Sequence, residues 1–307
     1  MVDPAFAALL YDPALTLRRP PPDLPLAVLR DAANSFMARG QGPEVAAVED
    51  HIIAGQECEI PLRIYRPTLG QDLPFLLFMH GGGFLFGNRD SHDAMCRSLA
   101  IATGMAVALP EYRLCPEVHF PDPLMDCLFA LEWLLHNGNS LGLSSKFAFA
   151  GDSAGGQLAL ALALLARQKN LKPAHIALLY PLIDPSGASE SAQKFGRGYM
   201  LTSTFIAWAW ESYRGTSDCA NNPLFDLRLA DLTGLPGLSL VLAEYDPLRD
   251  EGKYLAQQAQ ATGVPVHVRC FDGMIHGFAG FTHLTACANQ ALAFIAENIC
   301  RAMAMRG

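Results

Sequence analysis

Charged side chains are scarce in this sequence, and basic ones are fewer than acidic ones. Lysine and arginine together number 22 against 30 aspartates and glutamates, so the formal net charge is −8 with histidine neutral. Proteins that bind nucleic acid normally carry a basic patch or stripe, so nucleic acid is not an expected partner.

Long apolar runs are missing as well. The run over residues 158–166 is far shorter than the roughly 20 residues of a membrane-spanning helix, so stable membrane insertion is not expected.

Closely paired cysteines and a secretory signal are also missing. The eight cysteines are scattered without a Cys-x-x-Cys pair. A long, apolar chain does not depend on disulfide bonds to fold, so free buried thiols are expected. Asp3 and Pro4 stand where a signal peptide would have basic residues. These features predict a cytoplasmic protein.

Apolar residues are plentiful and make up 51% of the 307 residues. A chain of this size can bury roughly three quarters of the surface that it exposes when unfolded. Three hundred residues is also about the size at which a single core stops growing. We therefore expect one large domain with a smaller accessory layer.

Short continuous apolar runs alternate with helical segments along most of the chain, which is typical of parallel strands buried on both faces. Two further runs, at 45–53 and 57–66, are joined by a short glycine-containing connection, which predicts an antiparallel hairpin ahead of the parallel strands. Together these runs predict an eight-stranded, mostly parallel, doubly wound α/β sheet with an antiparallel start. The six later strands are predicted over residues 75–79, 105–109, 147–150, 176–180, 238–243 and 264–270.

More than fifty residues separate the strands predicted at 176–180 and 238–243, which is too long for a plain crossover. We assign residues 185–213, together with residues 1–45, to a small helical cap over the carboxyl edge of the sheet, where ligands bind in open α/β sheets. The catalytic domain then comprises residues 46–184 and 214–307. The alternative is an ordinary long crossover with one packed helix.

A candidate nucleophile lies in Gly151-Asp152-Ser153-Ala154-Gly155, which matches Gly-x-Ser-x-Gly. The motif directly follows a predicted strand and precedes an apolar helical run over 157–168. A sharp turn between strand and helix needs small neighbours if it is to lift the serine hydroxyl above the sheet. This context predicts that Ser153 is a nucleophile.

A glycine run, His80-Gly81-Gly82-Gly83-Phe84, follows the strand at 75–79. Backbone N–H groups without side chains around them suit the oxygen charge of a tetrahedral intermediate. The predicted donors are the amides of Gly82 and Gly83, with Gly81 as a further candidate, together with the amide of Ala154 after the nucleophile. The run lacks the Lys-Ser/Thr ending of a phosphate-binding loop. His80, at the strand end, is expected to orient the loop rather than to act as a base.

A serine nucleophile needs a base, and the base needs an acid that holds it in one tautomer. In a sheet of this kind, both follow the nucleophile in the chain, each in a loop after a later strand. Asp246 and His276 meet that condition and are the predicted acid and base. The rivals are Asp250 and Asp272 for the acid, and His267 and His283 for the base.

Five motifs occur in a fixed order: His-Gly-Gly-Gly-Phe at 80–84, Glu-Tyr-Arg-Leu-Cys-Pro-Glu at 111–117, Gly-Asp-Ser-Ala-Gly-Gly at 151–156, Tyr-Asp-Pro-Leu-Arg-Asp-Glu-Gly at 245–252 and His-Gly-Phe at 276–278. In this order they resemble the motifs of the hormone-sensitive lipase-like esterases, a group of α/β hydrolases. The resemblance extends over about residues 60–300. Cys115 replaces the alanine that is usual in the second motif; because that segment is structural in the family, the catalytic assignment is unchanged.

The resemblance implies an α/β-hydrolase fold with a cap and a triad of Ser153, Asp246 and His276. It also implies an oxyanion hole built from the loop at 81–83 and Ala154. Short- to medium-chain esters are the substrates that such enzymes typically hydrolyse, and homodimers are common among them. The expected mechanism is acyl transfer through an acyl-enzyme, which requires no metal or organic cofactor.

Aromatic side chains are candidates to line the substrate pocket, because such sites are largely apolar. The alternative for the aromatic residues of the cap is that they only pack the cap on the body. Hydrolysis of amides or lactones by the same triad is a second interpretation of the activity, and a ligand receptor on an inactive hydrolase scaffold is a third. The candidate pocket residues are Phe84, Phe86, Trp208, Trp210 and Tyr213.

Overall fold

The computed structural model describes residues 1–10, 16–17, 19–21, 24–38, 40–55 and 58–305. Eight strands form one sheet, as the sequence predicts. Gln56 and Glu57, in and beside the predicted hairpin connection, lie outside the described residues. The strands are β1 (Ala47–Ala54), β2 (Glu59–Arg66), β3 (Leu73–Met79), β4 (Ala106–Pro110), β5 (Leu143–Asp152), β6 (His175–Leu179), β7 (Gly237–Tyr245) and β8 (Val266–Ile275).

The strand order in the sheet is β1-β2-β4-β3-β5-β6-β7-β8. The first pair is the predicted antiparallel hairpin, and β2 also pairs antiparallel with β4. From β4 to β8 all pairs are parallel. The carboxyl ends of these parallel strands therefore meet along one edge of the sheet, and the candidate site is built there.

Both faces of the sheet are buried, which explains why the central strands are continuously apolar rather than alternating. In β3, Phe75 and Leu77 belong to one hydrophobic cluster, whereas Leu76 and Phe78 belong to another on the opposite face. All four side chains are fully buried. At roughly 1.5–3 kcal/mol for each buried large apolar side chain, such strands anchor the loops that follow them.

Helices cover the two faces of the sheet. They are α1 (Pro4–Leu10), α2 (Leu26–Met37), α3 (Asp93–Thr103), α4 (Asp122–Asn137), α5 (Ala154–Gln168), α6 (Glu190–Phe195), α7 (Ser203–Arg214), α8 (Arg249–Ala261) and α9 (Ala286–Ala304). On one side α4 and α5 pack together, and on the other α3 packs against α9. Helix α4 begins at Asp122, and Pro121 takes the N-cap position before it.

The last strand is longer than its apolar run indicates. The sequence predicts an end at Cys270, but β8 continues to Ile275 and pairs with β7 up to Tyr245. Its first half is exposed at the edge of the sheet, so only the second half carries buried apolar residues. As a result, His276 follows the strand directly.

The N-terminal segment meets the inserted segment above the sheet. Leu17 forms a parallel bridge with Leu201, and its backbone pairs with Met200 and Thr202. Helix α1 behaves differently, because Phe6 is buried against Phe281 near α9. These contacts support a cap made from both segments, with α1 attached to the body, and the domain division remains a prediction.

No disulfide joins the cysteines, all of which lie within the described residues. Cys96, Cys115, Cys127 and Cys219 are buried, but Cys270 is exposed on β8, so the expectation of buried thiols holds for only part of the set. Across the described part of the chain, no helix is long and apolar enough to cross a membrane.

Candidate active site

Ser153 lies at a sharp turn between β5 and α5, with a positive φ of 53°. Its backbone N–H donates to the carbonyl of Leu179 at the end of β6 (2.9 Å), which ties the turn to the sheet. A side chain at Gly151 would collide with the carbonyl of Gly155, and one at Gly155 would collide with that of Met79. Small neighbours are therefore a steric requirement of this turn, as the motif predicts.

The structure brings Ser153, His276 and Asp246 into one hydrogen-bonded chain. The distance from Ser153 Oγ to His276 Nε2 is 2.9 Å, and that from His276 Nδ1 to Asp246 Oδ2 is 2.8 Å. Because a carboxylate only accepts hydrogen bonds, Nδ1 carries the imidazole proton and Nε2 accepts from the serine hydroxyl. The other oxygen of the fully buried Asp246 accepts from the Leu248 N–H (2.8 Å), which fixes the carboxylate plane.

The rival residues lie elsewhere. Asp250 is in the first turn of α8, where it pairs with Arg249 and Lys253. Asp272 is exposed within β8. His267 and His283 are also exposed. None of these four residues takes part in the hydrogen bonds that link Ser153, His276 and Asp246.

Three backbone N–H groups of the predicted oxyanion hole have no acceptor within the described residues. Two belong to Gly82 and Gly83 of the glycine loop, which line the same pocket as Ser153, and the third belongs to Ala154 at the start of α5. Gly82 has a φ of 116°, and a side chain there would collide with the Phe86 carbonyl. The prediction for Gly81 is wrong, because its N–H is already engaged with Asp152 Oδ1 at 2.7 Å.

Asp152 and His92 form a polar pair that sequence reasoning missed. His92 Nε2 lies 3.3 Å from Asp152 Oδ1, and both side chains line the pocket beside Ser153. Burial by itself would raise the pKa of Asp152, but His92 and the Gly81 N–H outweigh it and hold the pKa below the usual 3.8. Asp152 thus remains ionised and binds the first glycine of the loop. Its position in the Gly-x-Ser-x-Gly motif was visible, but its partner sits 60 residues earlier in the chain.

His80 orients the loop, as expected. Its Nδ1 lies 2.8 Å from the Gly81 carbonyl, and its ring stacks on Tyr112 with centroids 4.2 Å apart. Burial is the main reason why the pKa of His80 falls to about 3. The ring is therefore neutral at neutral pH, with Nδ1 protonated because the carbonyl only accepts. His80 therefore supports the loop, and it is His276, not His80, that is hydrogen-bonded to Ser153 Oγ.

Tyr180 is a second residue that the sequence did not indicate. It follows β6 directly, its ring is edge-on to the His276 imidazole with centroids 4.8 Å apart, and it lines the pocket. Its φ of 36° is unusual for a residue with a side chain. A tyrosine at a strand end carries no pattern that marks this contact in advance.

The residues that line the pocket differ from the aromatic residues predicted to line it. Phe86 lines it, but Phe84 and Tyr213 stack on each other (4.0 Å) and are buried together with Trp210 in the core, so the prediction fails for these three. Trp208 is likewise absent from the residues that line the pocket; it packs partly buried against the core. Two other aromatic residues of the proposed cap segments line the pocket, Phe36 in α2 and Phe205 at the start of α7. The other apolar lining comes from Leu17, Ala33, Met37, Ala94, Met95, Met200, Leu201 and Phe281.

Comparisons with known proteins agree with this geometry. A family described by the alpha/beta hydrolase fold matches residues 76–280. An ethyl acetate hydrolase from Pseudomonas putida is 32% identical over 275 residues, which cover 86% of each chain. The carboxylic ester hydrolase LipN from Mycobacterium tuberculosis is 37% identical over 79% of this chain and 67% of its own.

Solved structures extend the likeness to nearly the whole chain. The hyperthermophilic esterase from the archaeon Pyrobaculum calidifontis superimposes with a TM-score of 0.90 at 33% identity and covers 98% of both chains. The predicted α/β-hydrolase fold is thereby confirmed, as is the family that the five motifs indicate. The chain belongs to the hormone-sensitive lipase-like carboxylic ester hydrolases of the α/β-hydrolase superfamily.

Proposed function

We propose that the protein hydrolyses short- to medium-chain carboxylic esters through an acyl-enzyme on Ser153. The observation that carries this proposal is the hydrogen-bonded chain from Ser153 through His276 to Asp246, next to amides that have no acceptor within the described residues. A serine hydroxyl is a weak nucleophile unless a positioned base removes its proton. In this hydrogen-bonded chain His276 is that base, and Asp246 is the acid that orients it.

In the first step His276 Nε2 takes the proton of Ser153 as Oγ attacks the ester carbonyl. The carbonyl oxygen becomes negatively charged, and the amides of Gly82, Gly83 and Ala154 are its proposed donors. Asp246 stabilises the imidazolium. The C–O bond to the alcohol then breaks, His276 gives its proton to the departing alcohol, and the acyl group stays on Ser153.

In the second step water replaces the alcohol. His276 takes a proton from water, hydroxide oxygen bonds to the acyl carbon, and the same amides hold the charge. Collapse breaks the bond to Ser153, whose oxygen recovers its proton from His276. The products are the carboxylic acid and the free enzyme, so the cycle consumes one water and needs no other reactant.

The volume of the pocket supports the part of this proposal that concerns short acyl chains. The volume of this cavity is about 110 Å³. An apolar cavity of about 150 Å³ in another protein holds one benzene ring. Phe86, Phe205 and Leu201 are among the apolar residues that line the pocket, so we expect longer acyl chains to pack against these side chains.

A phosphonate that mimics the tetrahedral intermediate tests the nucleophile. We expect one covalent adduct by intact mass on the wild type and none on Ser153→Ala, with turnover of p-nitrophenyl esters lost in Ser153→Ala and His276→Ala. The matched controls are Ser35→Ala and His283→Gln, which change exposed residues of the same types. They should label and turn over like the wild type.

Two outcomes would contradict the proposal. A folded wild type with neither adduct nor turnover would favour a ligand receptor on an inactive scaffold. An adduct together with faster turnover of amides than of matched esters would favour an amidase. Formation of a homodimer and a cytoplasmic location remain predictions, which sedimentation and cell fractionation test.

A further inference from the structure

We propose that helix α2 positions the oxyanion loop, with Arg30 and Asn34 as the positioning residues. The inference rests on the proposed function and adds two residues of the N-terminal segment to it. Neither residue lines the pocket. They are one helical turn apart, so their side chains lie on the same face of α2.

Arg30 bonds to the backbone of the loop. Its Nε donates to the Leu85 carbonyl (2.8 Å), and its Nη2 donates to the Cys115 carbonyl (2.9 Å). The guanidinium is also forked on Glu117, with both N–O distances at 2.7 Å. These hydrogen bonds from Arg30 are the main reason why the pKa of Glu117 lies below its usual value.

Asn34 bonds to the loop from the next turn of the helix. Its Oδ1 accepts from the Gly87 N–H at 2.8 Å. Arg30 and Asn34 therefore hold the chain on both sides of Phe86, one by donating and one by accepting. A helix that only covered the loop would need neither contact.

The held residues connect to the oxyanion amides through the backbone. The Gly82 carbonyl accepts from the N–H groups of Leu85 (3.1 Å) and Phe86 (3.2 Å). This closes a tight turn that contains Gly83. A shift of Leu85 therefore moves the peptide groups of Gly82 and Gly83, whose amides are the proposed donors.

The loop is thus fixed at two ends by different parts of the molecule. Asp152, in the body, accepts from Gly81 at the front of the loop, and α2 holds Leu85 and Gly87 at the back. The same helix supplies Ala33, Phe36 and Met37 to the pocket wall. Through α2, the wall that contacts the acyl chain and the loop that stabilises its oxyanion are coupled.

The Arg30–Glu117 pair could instead only attach the helix to the surface. Glu117 is largely exposed, and exposed ion pairs contribute about 0–1 kcal/mol. Attachment alone would leave the rate of the chemical step unchanged. The rate on a short ester therefore separates the two roles, because the acyl part of an acetate has a single methyl group to contact the wall.

The test uses the full chain with Asn34→Leu, which removes the acceptor, and Asn34→Asp, which retains an oxygen at the same place. Arg30→Met keeps the apolar stem of Arg30 and removes its donors. Ser35→Ala, on the exposed side of α2, is the control. We measure kcat and KM for p-nitrophenyl acetate and hexanoate, with thermal unfolding to check folding.

We expect Asn34→Leu and Arg30→Met each to lower kcat about tenfold on both esters, with KM for the acetate within twofold of the wild type. The loss is smaller than the 10²–10³-fold cost of deleting an oxyanion donor, because the donors are displaced rather than removed. Asn34→Asp should restore most of kcat. The pH midpoint of kcat/KM should not move, since the Ser153–His276–Asp246 chain is untouched.

If kcat on the acetate is unchanged and only KM or the preference for acyl-chain length is altered, the inference is overturned. Helix α2 would then only contribute side chains to the wall of the pocket. The same holds if Asn34→Asp loses as much activity as Asn34→Leu. If Arg30→Met does not fold, the Asn34 pair still decides the question. Wild-type turnover and labelling of Ser153 report on the proposed function separately, so the two failures are distinguishable.

Discussion

The two sides of the pocket are built in different ways. On the body side, Asp246 and His276 each follow a parallel strand directly, and Ser153 forms the turn out of β5. On the cap side, the wall combines residues of the N-terminal segment with residues near position 200, held together by the bridge between Leu17 and Leu201. The body therefore positions groups through short connections to a buried sheet, whereas the cap depends on contacts between segments distant in sequence.

This difference indicates which properties each side controls. Chemistry requires atoms held within hydrogen-bond distance, which a buried sheet provides because its strand ends cannot shift independently. Selection of the acyl chain requires only a surface of suitable shape. We therefore expect changes on the body side to affect kcat and changes on the cap side to affect mainly the preference among substrates.

The largest effect is expected for Asp246→Asn. An amide in place of the carboxylate can donate to His276 and favour the wrong tautomer, so kcat should fall by about 10⁴-fold. The matched control is Asp250→Asn, four residues later, which should remain within threefold of the wild type. Steady-state kinetics on p-nitrophenyl acetate measures both. A similar loss in the two variants would contradict the assignment of the acid.

Gly82→Ala should have the next largest effect. The new methyl group would collide with the Phe86 carbonyl and displace the loop amides, so we expect a 10²–10³-fold loss of kcat. Gly104→Ala is the control, because Gly104 also has positive φ but has open space around it. It should cost about 1–2 kcal/mol of unfolding free energy and leave kcat unchanged.

The cap side is tested by two residues of α7. Phe205→Ala enlarges the pocket wall and should shift the preference toward longer acyl chains by a few-fold, with kcat on the acetate nearly unchanged. Trp210→Ala removes a buried side chain behind the wall and should cost about 3–5 kcal/mol of unfolding free energy without altering the preference. A change of preference in Trp210→Ala would break the distinction between wall and core.

The smallest effect on activity is expected for a buried histidine of the sheet, which changes the dependence of stability on pH. Burial is the main cause that lowers the pKa of His175 to about 4, below the ordinary 6.5. Between these values the unfolded chain binds the proton and the folded protein does not, so the unfolding free energy rises with pH. His175 contributes up to about 1.4 kcal/mol per pH unit in that window.

Denaturant unfolding from pH 4.5 to 7 measures this slope. His175→Gln should have a shallower slope and normal activity, because β6 contacts the site only through the residues at its end. His80→Gln should also flatten the slope, but with loss of activity, because His80 supports the glycine loop. Equal activity losses in the two variants would contradict the separation between sheet and site.

Local patterns identified the residues of the site that are tied to strand ends. The sequence context of Ser153 predicted the turn, and the position of His276 after a strand predicted the histidine that bonds to it. The same reasoning failed where a local pattern does not report a partner. The glycine run makes Gly81 a further candidate beside Gly82 and Gly83, but Asp152 occupies its amide.

The aromatic residues of α7 illustrate a second failure. Phe205 and Tyr213 lie on one face of the helix, two turns apart, and both are apolar and buried. Only the end of the helix that carries Phe205 reaches the pocket. Composition and periodicity indicate which face of a helix is buried, but not what that face meets along its length.

Apolar runs and short motifs next to strands are local features, and they were enough to predict an eight-stranded, mostly parallel sheet and the chemical groups at its carboxyl edge. The strand order, the wall of the pocket and the support of the loop depend on tertiary contacts. Arg30, Asn34 and His92 act through partners 50 or more residues away, and those contacts depend on how the whole chain packs. Side-chain contacts of this kind have no local signature, since one residue supplies only half of each.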